Sequence, residues 1–186
     1  MSNLEVFQPA LQLRPREALS GVAASRLWRV QSGVLRIDQR AADGTLHFIR
    51  LALPGDVLGV ETLAGASQQD VLRAITRVTL TPLKVPDEQH LAQLFRDAVV
   101  RNYQRCRETA SLRIGTVDER VRRLLLLVAH GKDELLGQAH SKAQVNAIPS
   151  LVNIASIINA APETVSRIIS GFRESGFLEE QRRPRR

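Results

Sequence analysis

Residues 148–178 read IPSLVNIASIINAAPETVSRIISGFRESGFL, and this stretch decides the fold. Leu151, Ile154, Ala155, Ile157 and Ile158 recur at spacings of three, four and seven, which predicts one buried face of a short helix. Ser150 stands at its N-cap, where a hydroxyl can accept a free backbone N–H. Asn159-Ala160-Ala161 breaks the pattern, and Pro162 opens a second helix, because its missing N–H would be unpaired there anyway. That helix is expected to bury Val165, Ile168, Ile169 and Phe172, with Gly176 as a left-handed residue past its end. Glu163, Thr164, Ser166 and Arg167 then point outward or toward the turn. A helix-turn-helix presents its recognition helix in this way, with N-terminal side chains meeting base edges in the major groove.

Pro162-Glu163-Thr164-Val165-Ser166-Arg167, Ile168-Ile169 and Phe172 to Leu178 resemble the recognition helix of the CRP/FNR regulators, and the FNR branch most nearly. The competing reading of the same residues is an ordinary helical hairpin in some core.

Working outward, the chain before this motif changes character twice. Leu27–Val30, Gly33–Asp38 and Leu46–Leu51 read as strands, with turns at Ser32-Gly33 and Asp43-Gly44. Residues 53–59 form another punctuated segment, and Val71–Leu83 holds further strands, which together predict a small antiparallel sandwich or barrel. Residues 1–25, interrupted by Pro9, Pro15 and Gly21, read as short strands or coil. From Asp87, a capping residue, to about residue 114 there is no proline or glycine, and a long helix is expected. Val99, Tyr103, Cys106 and Ala110 follow a four-three-four spacing, the seam of a coiled coil, which predicts a homodimer. Packing of that helix against the chain's own strands is the alternative, and both can share it. Arg101, Arg105, Arg107 and Arg113 are expected to face solvent or partner acids. Gly115 reads as a hinge, Val121, Leu124, Leu125 and Val128 as the buried side of a further helix, and 131–147 as a loop or small hairpin.

Val30 to Arg36, Asp43-Gly44 and Pro54 to Gly59 are similar to the β-roll of cyclic-nucleotide-binding-type domains. The resemblance therefore implies an α+β chain with an N-terminal antiparallel β-roll at 1–86, a long central dimerisation helix and hinge at 87–115, and a C-terminal winged helix-turn-helix at 116–186. It also implies a palindromic site with TTGA-like half-sites, and RNA polymerase as a partner. Two departures speak against cyclic AMP. Binders place a glutamate directly after the glycine at Gly59, where this chain has Val60, and Glu61 comes one position late. Their phosphate-holding Arg-Ser pair aligns with Gln68-Gln69-Asp70, which lacks a cation.

For base readout the candidates are Glu163, Ser166 and Arg167. Arginine reads guanine bidentately and glutamate accepts from the cytosine amino group, and the resemblance assigns base contacts to the same positions. Ser150 and Thr164 are candidates for DNA backbone contacts, which position without specifying. Effector and cofactor stay open. A single cysteine, Cys106, excludes an internal disulfide framework, is too few for an iron–sulfur cluster, and suits a reducing cytoplasm. Haem would have to use His47, His90, His130 or His140, none with a partner at ligand spacing.

Charge and composition narrow the function classes. Residues 1–95 hold ten Lys/Arg against nine Asp/Glu, but residues 96–132 hold nine against four, and the last six residues hold four arginines. Positive charge gathered in the later half suits a polyanion partner. The longest apolar run, Leu124–Ala129, is too short to span a bilayer, and no secretory signal is visible, so no membrane partner is expected. Walker-type, HExxH and GxSxG motifs are missing, and Asp118-Glu119 point in different directions on a helix, so no enzyme is expected. The rival from another class is a haem- or metabolite-binding sensor whose helix-turn-helix mediates protein contacts. A regulator that needs no ligand is a third reading.

Overall fold

The computed structural model describes residues 9–20, 26–63, 65, 70–130, 143–145 and 148–180, with main chain only at 130, 143–145, 179 and 180. The segment Gln68-Gln69, His140, most of 131–147 and the arginine-rich tail 182–186 lie outside the described residues.

Eight strands form two four-stranded antiparallel sheets. One sheet holds β1 (Leu11–Leu13), β8 (Val78–Pro82), β3 (Trp28–Ser32) and β6 (Val57–Leu58), in that order. The other holds β2 (Ala18–Leu19), β7 (Asp70–Ala74), β4 (Leu35–Arg40) and β5 (Leu46–Ala52). Successive strand residues face opposite sides of a sheet, and Val78 and Leu80 alternate inward accordingly, as do Trp28 and Val30. In β4, Leu35 and Ile37 enter the core between the sheets. Arg36 and Asp38, on the other face, are buried as an ion pair, with Phe48 stacked on the Arg36 guanidinium. The Asp43-Gly44 turn closes the β4–β5 hairpin, and the Asp43 carboxylate accepts from the Thr45 N–H at 2.9 Å.

A one-turn helix, α1 (Val60–Leu63), follows β6. The long helix α2 runs Glu88–Ser111, with Asp87 accepting the His90 N–H at 2.9 Å. It stops three residues short of the expected end. Leu112, its C-cap, turns inward and is fully buried in the core that continues into the last helices. Then come α3 (Val117–His130), β9 (Ala143–Val145), α4 (Leu151–Ile158), α5 (Pro162–Glu174) and β10 (Leu178–Glu180). The expected loop or small hairpin at 131–147 lies outside the described residues except for β9, which pairs in parallel with β10, from Ala143↔Leu178 to Val145↔Glu180. Parallel neighbours need a crossover connection, and α4 and α5 supply it.

One apolar core joins Val34, Leu51, Leu53 and Ile75 of the strand region to Leu112 and the inner faces of α3, α4 and α5. Each fully buried leucine or isoleucine in it contributes about 1.5–3 kcal/mol. Among the described residues no helix is long and apolar enough to cross a membrane.

Candidate nucleic-acid interface

The pair α4 and α5 is fixed from three sides. Ser150 caps α4, its Oγ accepting the Asn153 N–H at 3.3 Å. The other end stops at Asn159, a non-glycine residue in the left-handed region at φ 55°. Arg120 of α3 donates to the carbonyls of Ile158 at 2.7 Å and Asn159 at 3.3 Å, so a cation closes the negative end of the helix. Ile154, Ala155, Ile157 and Ile158 are buried as expected, but Leu151 sits on the outer side with Val152, which is 68% exposed. The spacing puts Leu151 in the stripe, yet as the first residue of the helix it falls outside the buried cluster.

In α5 the buried residues are Val165, Ile169 and Phe172, while Ile168 is half-buried. Pro162 occupies the first turn, and Ala161 before it makes no side-chain cap. Glu163, Ser166 and Arg167 stand at i, i+3 and i+4, on the face opposite the buried stripe. Glu163 and Arg167 are exposed, and Ser166 and Thr164 half-buried. The far end is anchored where the sequence placed it. Gly176 takes φ +70°, and Phe177 meets Phe172 edge-on at 4.8 Å. The Arg122 guanidinium lies 4.2 Å over Phe177 and 5.0 Å over Phe172.

Three arginines of the basic stretch thus serve the protein itself, since Arg123 also donates to main-chain carbonyls, those of Ser111 and Ile114. Arg105 is a fourth. Of the two expected surroundings, solvent or partner acids, it takes neither solvent nor a partner's acids but those of its own chain: it is 4% exposed and donates through Nε to Asp56 at 2.9 Å and through Nη1 to Glu108 at 2.6 Å. Burial alone would make it a weaker base, but its bonds to Asp56 and Glu108 outweigh that and raise its pKa. Arg50 completes the cluster, 3.8 Å from Asp56 and 3.4 Å from Glu61. Sequence reasoning missed this cluster because none of its partners is near Arg105 in the chain except Glu108.

On α2, Ala98 and Arg105 form the covered side. Val99 (68%), Tyr103 (65%) and the Val100 beside them (58%) are exposed, as are Cys106 and Ala110. An apolar row this open on one helix is unusual for a surface bound to water alone. His47 and His90 are exposed and hydrogen-bonded to Thr45 and Asp87. Among the described residues, no group of three His, Cys, Asp or Glu side chains is arranged to hold a metal ion.

No family model matches the chain. It is 28% identical over 163 residues to the transcriptional regulator LdrP of Thermus thermophilus, covering 86% of this chain and 81% of LdrP. It is 26% identical over 157 residues to SdrP of the same organism, covering 82% and 74%. In three dimensions it is similar to a CRP family transcriptional regulator, also from Thermus thermophilus, with a TM-score of 0.66, 26% identity, and 89% and 85% of the two chains covered. The fold is also that of FixK2 from Bradyrhizobium japonicum, with a TM-score of 0.64, 22% identity, and 90% and 85% covered. LdrP, SdrP and the CRP family protein are all transcriptional regulators. By fold and by sequence likeness together, the chain is similar to transcriptional regulators of the CRP/FNR family.

Proposed function

We propose that the protein is a sequence-specific regulator that binds double-stranded DNA as a homodimer, on a palindromic site with TTGA-like half-sites. The observation that carries this reading is the outward face of α5. Glu163, Ser166 and Arg167 share it, while the opposite face is sealed by Val165, Ile169 and Phe172. Arg167 reads a guanine, Glu163 accepts from a cytosine amino group, and Ser166 bonds either kind of base edge. Ser150 and Thr164, near the start of the two helices, hold DNA phosphates.

In this reading the chain divides into a β-roll at 1–86, a dimerisation helix with its connection at 87–115, and a winged helix-turn-helix at 116–186, with β9 and β10 as the winged part. Val99, Tyr103, Cys106 and Ala110 form the dimer seam, and their exposure in a single chain supports it. Two-fold symmetry sets the recognition helices about one DNA turn apart, roughly 34 Å. RNA polymerase is the further partner, and the cytoplasm is where the protein meets its DNA.

Cyclic AMP is not the effector. Besides Val60, the described residue at the position of the phosphate-holding pair is Asp70, a carboxylate in place of a cation. Asp70 binds its proton more tightly than usual, through burial first and then the Glu61 carboxylate, with Arg50 opposing. The alternative sensor reading, with α5 as a protein-docking helix, leaves the three polar groups on its open face without a role. An electrophoretic titration decides: a two-fold site should bind at least roughly tenfold tighter than a half-site, and equal binding would contradict the dimeric reading.

A further inference from the structure

The connection between α2 and α3 reads in the sequence as a hinge at Gly115, and the structure shows a clasp. Arg123, on the second turn of α3, donates from Nη1 to the Ser111 carbonyl at 2.7 Å and to the Ile114 carbonyl at 2.6 Å. Helix α2 has no basic residue in its own last turn, so this guanidinium serves its negative end. Glu119 completes the clasp. Its carboxylate lies 3.7 Å from Arg123 and accepts the Thr116 N–H at 2.9 Å. Gly115, at φ +88°, leaves room for it, since a Cβ there would fall 2.2 Å from the Glu119 oxygen. On the other side Arg113 lies 5.9 Å over Phe48 of β5, which ties the same connection to the strand region.

We propose that Arg123 is a positioning residue for DNA recognition: it fixes the angle between α2 and α3, and so the separation at which a dimer's two recognition helices can meet their half-sites. The proposal rests on the dimeric reading above. Apolar burial between α3 and the strand region is non-directional and tolerates small rotations. Two hydrogen bonds from one guanidinium nitrogen to two fixed carbonyls do not, because each weakens steeply off its line. The leverage is large enough to matter. A 14-residue helix is about 21 Å long, so a tilt of roughly 10° at the clasp moves its far end by about 3.5 Å. One base-pair step is about 3.4 Å.

The test compares wild type, Arg123→Met and Arg123→Lys on duplexes with two TTGA-like half-sites at one separation and at separations one or two base pairs shorter or longer. A single half-site duplex and a thermal melt followed by circular dichroism are run beside them. Wild type should prefer one separation. Arg123→Met should keep its half-site affinity within about twofold and lose spacing preference by roughly 2- to 30-fold, the range over which such couplings shift. Arg123→Lys, which keeps a cationic donor on a shorter side chain and lacks the nitrogen that faces Glu119, should fall between. An unchanged spacing profile in Arg123→Met would overturn the proposal. So would equal weakening at every separation and on the half-site, which would mark a purely structural role; if Arg123→Met does not fold, Arg123→Lys is judged by the same criteria. A wild type indifferent to separation would overturn the dimeric reading itself, and this inference with it.

Discussion

Arg105 and Asp56 lie 49 positions apart in the chain and meet in a buried ion pair, Nε to Oδ2 at 2.9 Å, that fastens α2 to the loop before β6. The same Asp56 oxygen accepts the Leu53 N–H at 3.0 Å, while its other oxygen, also buried, has no hydrogen-bond partner in the structure. Removing one member of such a pair strands the other charge. Arg105→Ala should therefore cost about 3–5 kcal/mol in urea unfolding. The double variant Arg105→Met with Asp56→Leu should cost less than the two single changes summed, since neither Arg105 nor Asp56 is then left facing the gap where the other stood. Additive losses would show that the two residues do not act as a pair.

The carboxyl of Asp70 should titrate above its ordinary value near 3.8, because of its partial burial and the nearby Glu61, with Arg50 opposing. A raised folded-state pKa favours the protonated form. The contribution of this group to stability is thus fully present below the unfolded value and is lost as pH rises through the folded one. Carboxyl titration by NMR should place Asp70 above a typical aspartate, and Glu61→Gln should move it down. No movement would remove Glu61 from the cause.

Arg167→Ala should lose about 1–3 kcal/mol of discrimination at one base position while binding to unrelated DNA persists. Thr164→Ala should weaken all sequences alike, as expected of a phosphate contact. Competition binding against a set of single-base variants separates the two patterns.

Tyr103→Glu places a charge in the exposed row of α2 without touching the covered side, where Ala98 and Arg105 lie. Sedimentation should show wild type as a dimer and the variant as a monomer with an unchanged circular dichroism spectrum. A monomeric wild type at micromolar concentration would contradict the seam.

Much of this architecture was legible from local chemistry. Ser150, Asp87, Pro162 and Gly176 each act through neighbours within a few residues, and each takes its expected place. The alternation in β3 and β8 likewise needs only period two. What stayed hidden depends on distant partners. Arg105 reads as facing solvent or partner acids, and nothing near it in the chain announces Asp56. The glycine at 115 reads as freedom, although Arg123 and Glu119 close around it. Leu151 fits the apolar spacing of α4, yet it opens the helix outside the core that α3 and α5 help to build. The basic run 96–132 reads as attraction for a polyanion, but Arg105, Arg120, Arg122 and Arg123 are spent on carboxylates, carbonyls and rings inside the chain.

The most direct measurement is selection of bound duplexes from a random DNA pool by the purified protein. Enrichment of one two-fold sequence with TTGA-like arms at fixed separation is expected, and loss of that enrichment at one base pair per arm with Arg167→Ala. Recovery of no common sequence, or of single arms without a symmetric mate, would contradict the proposed function.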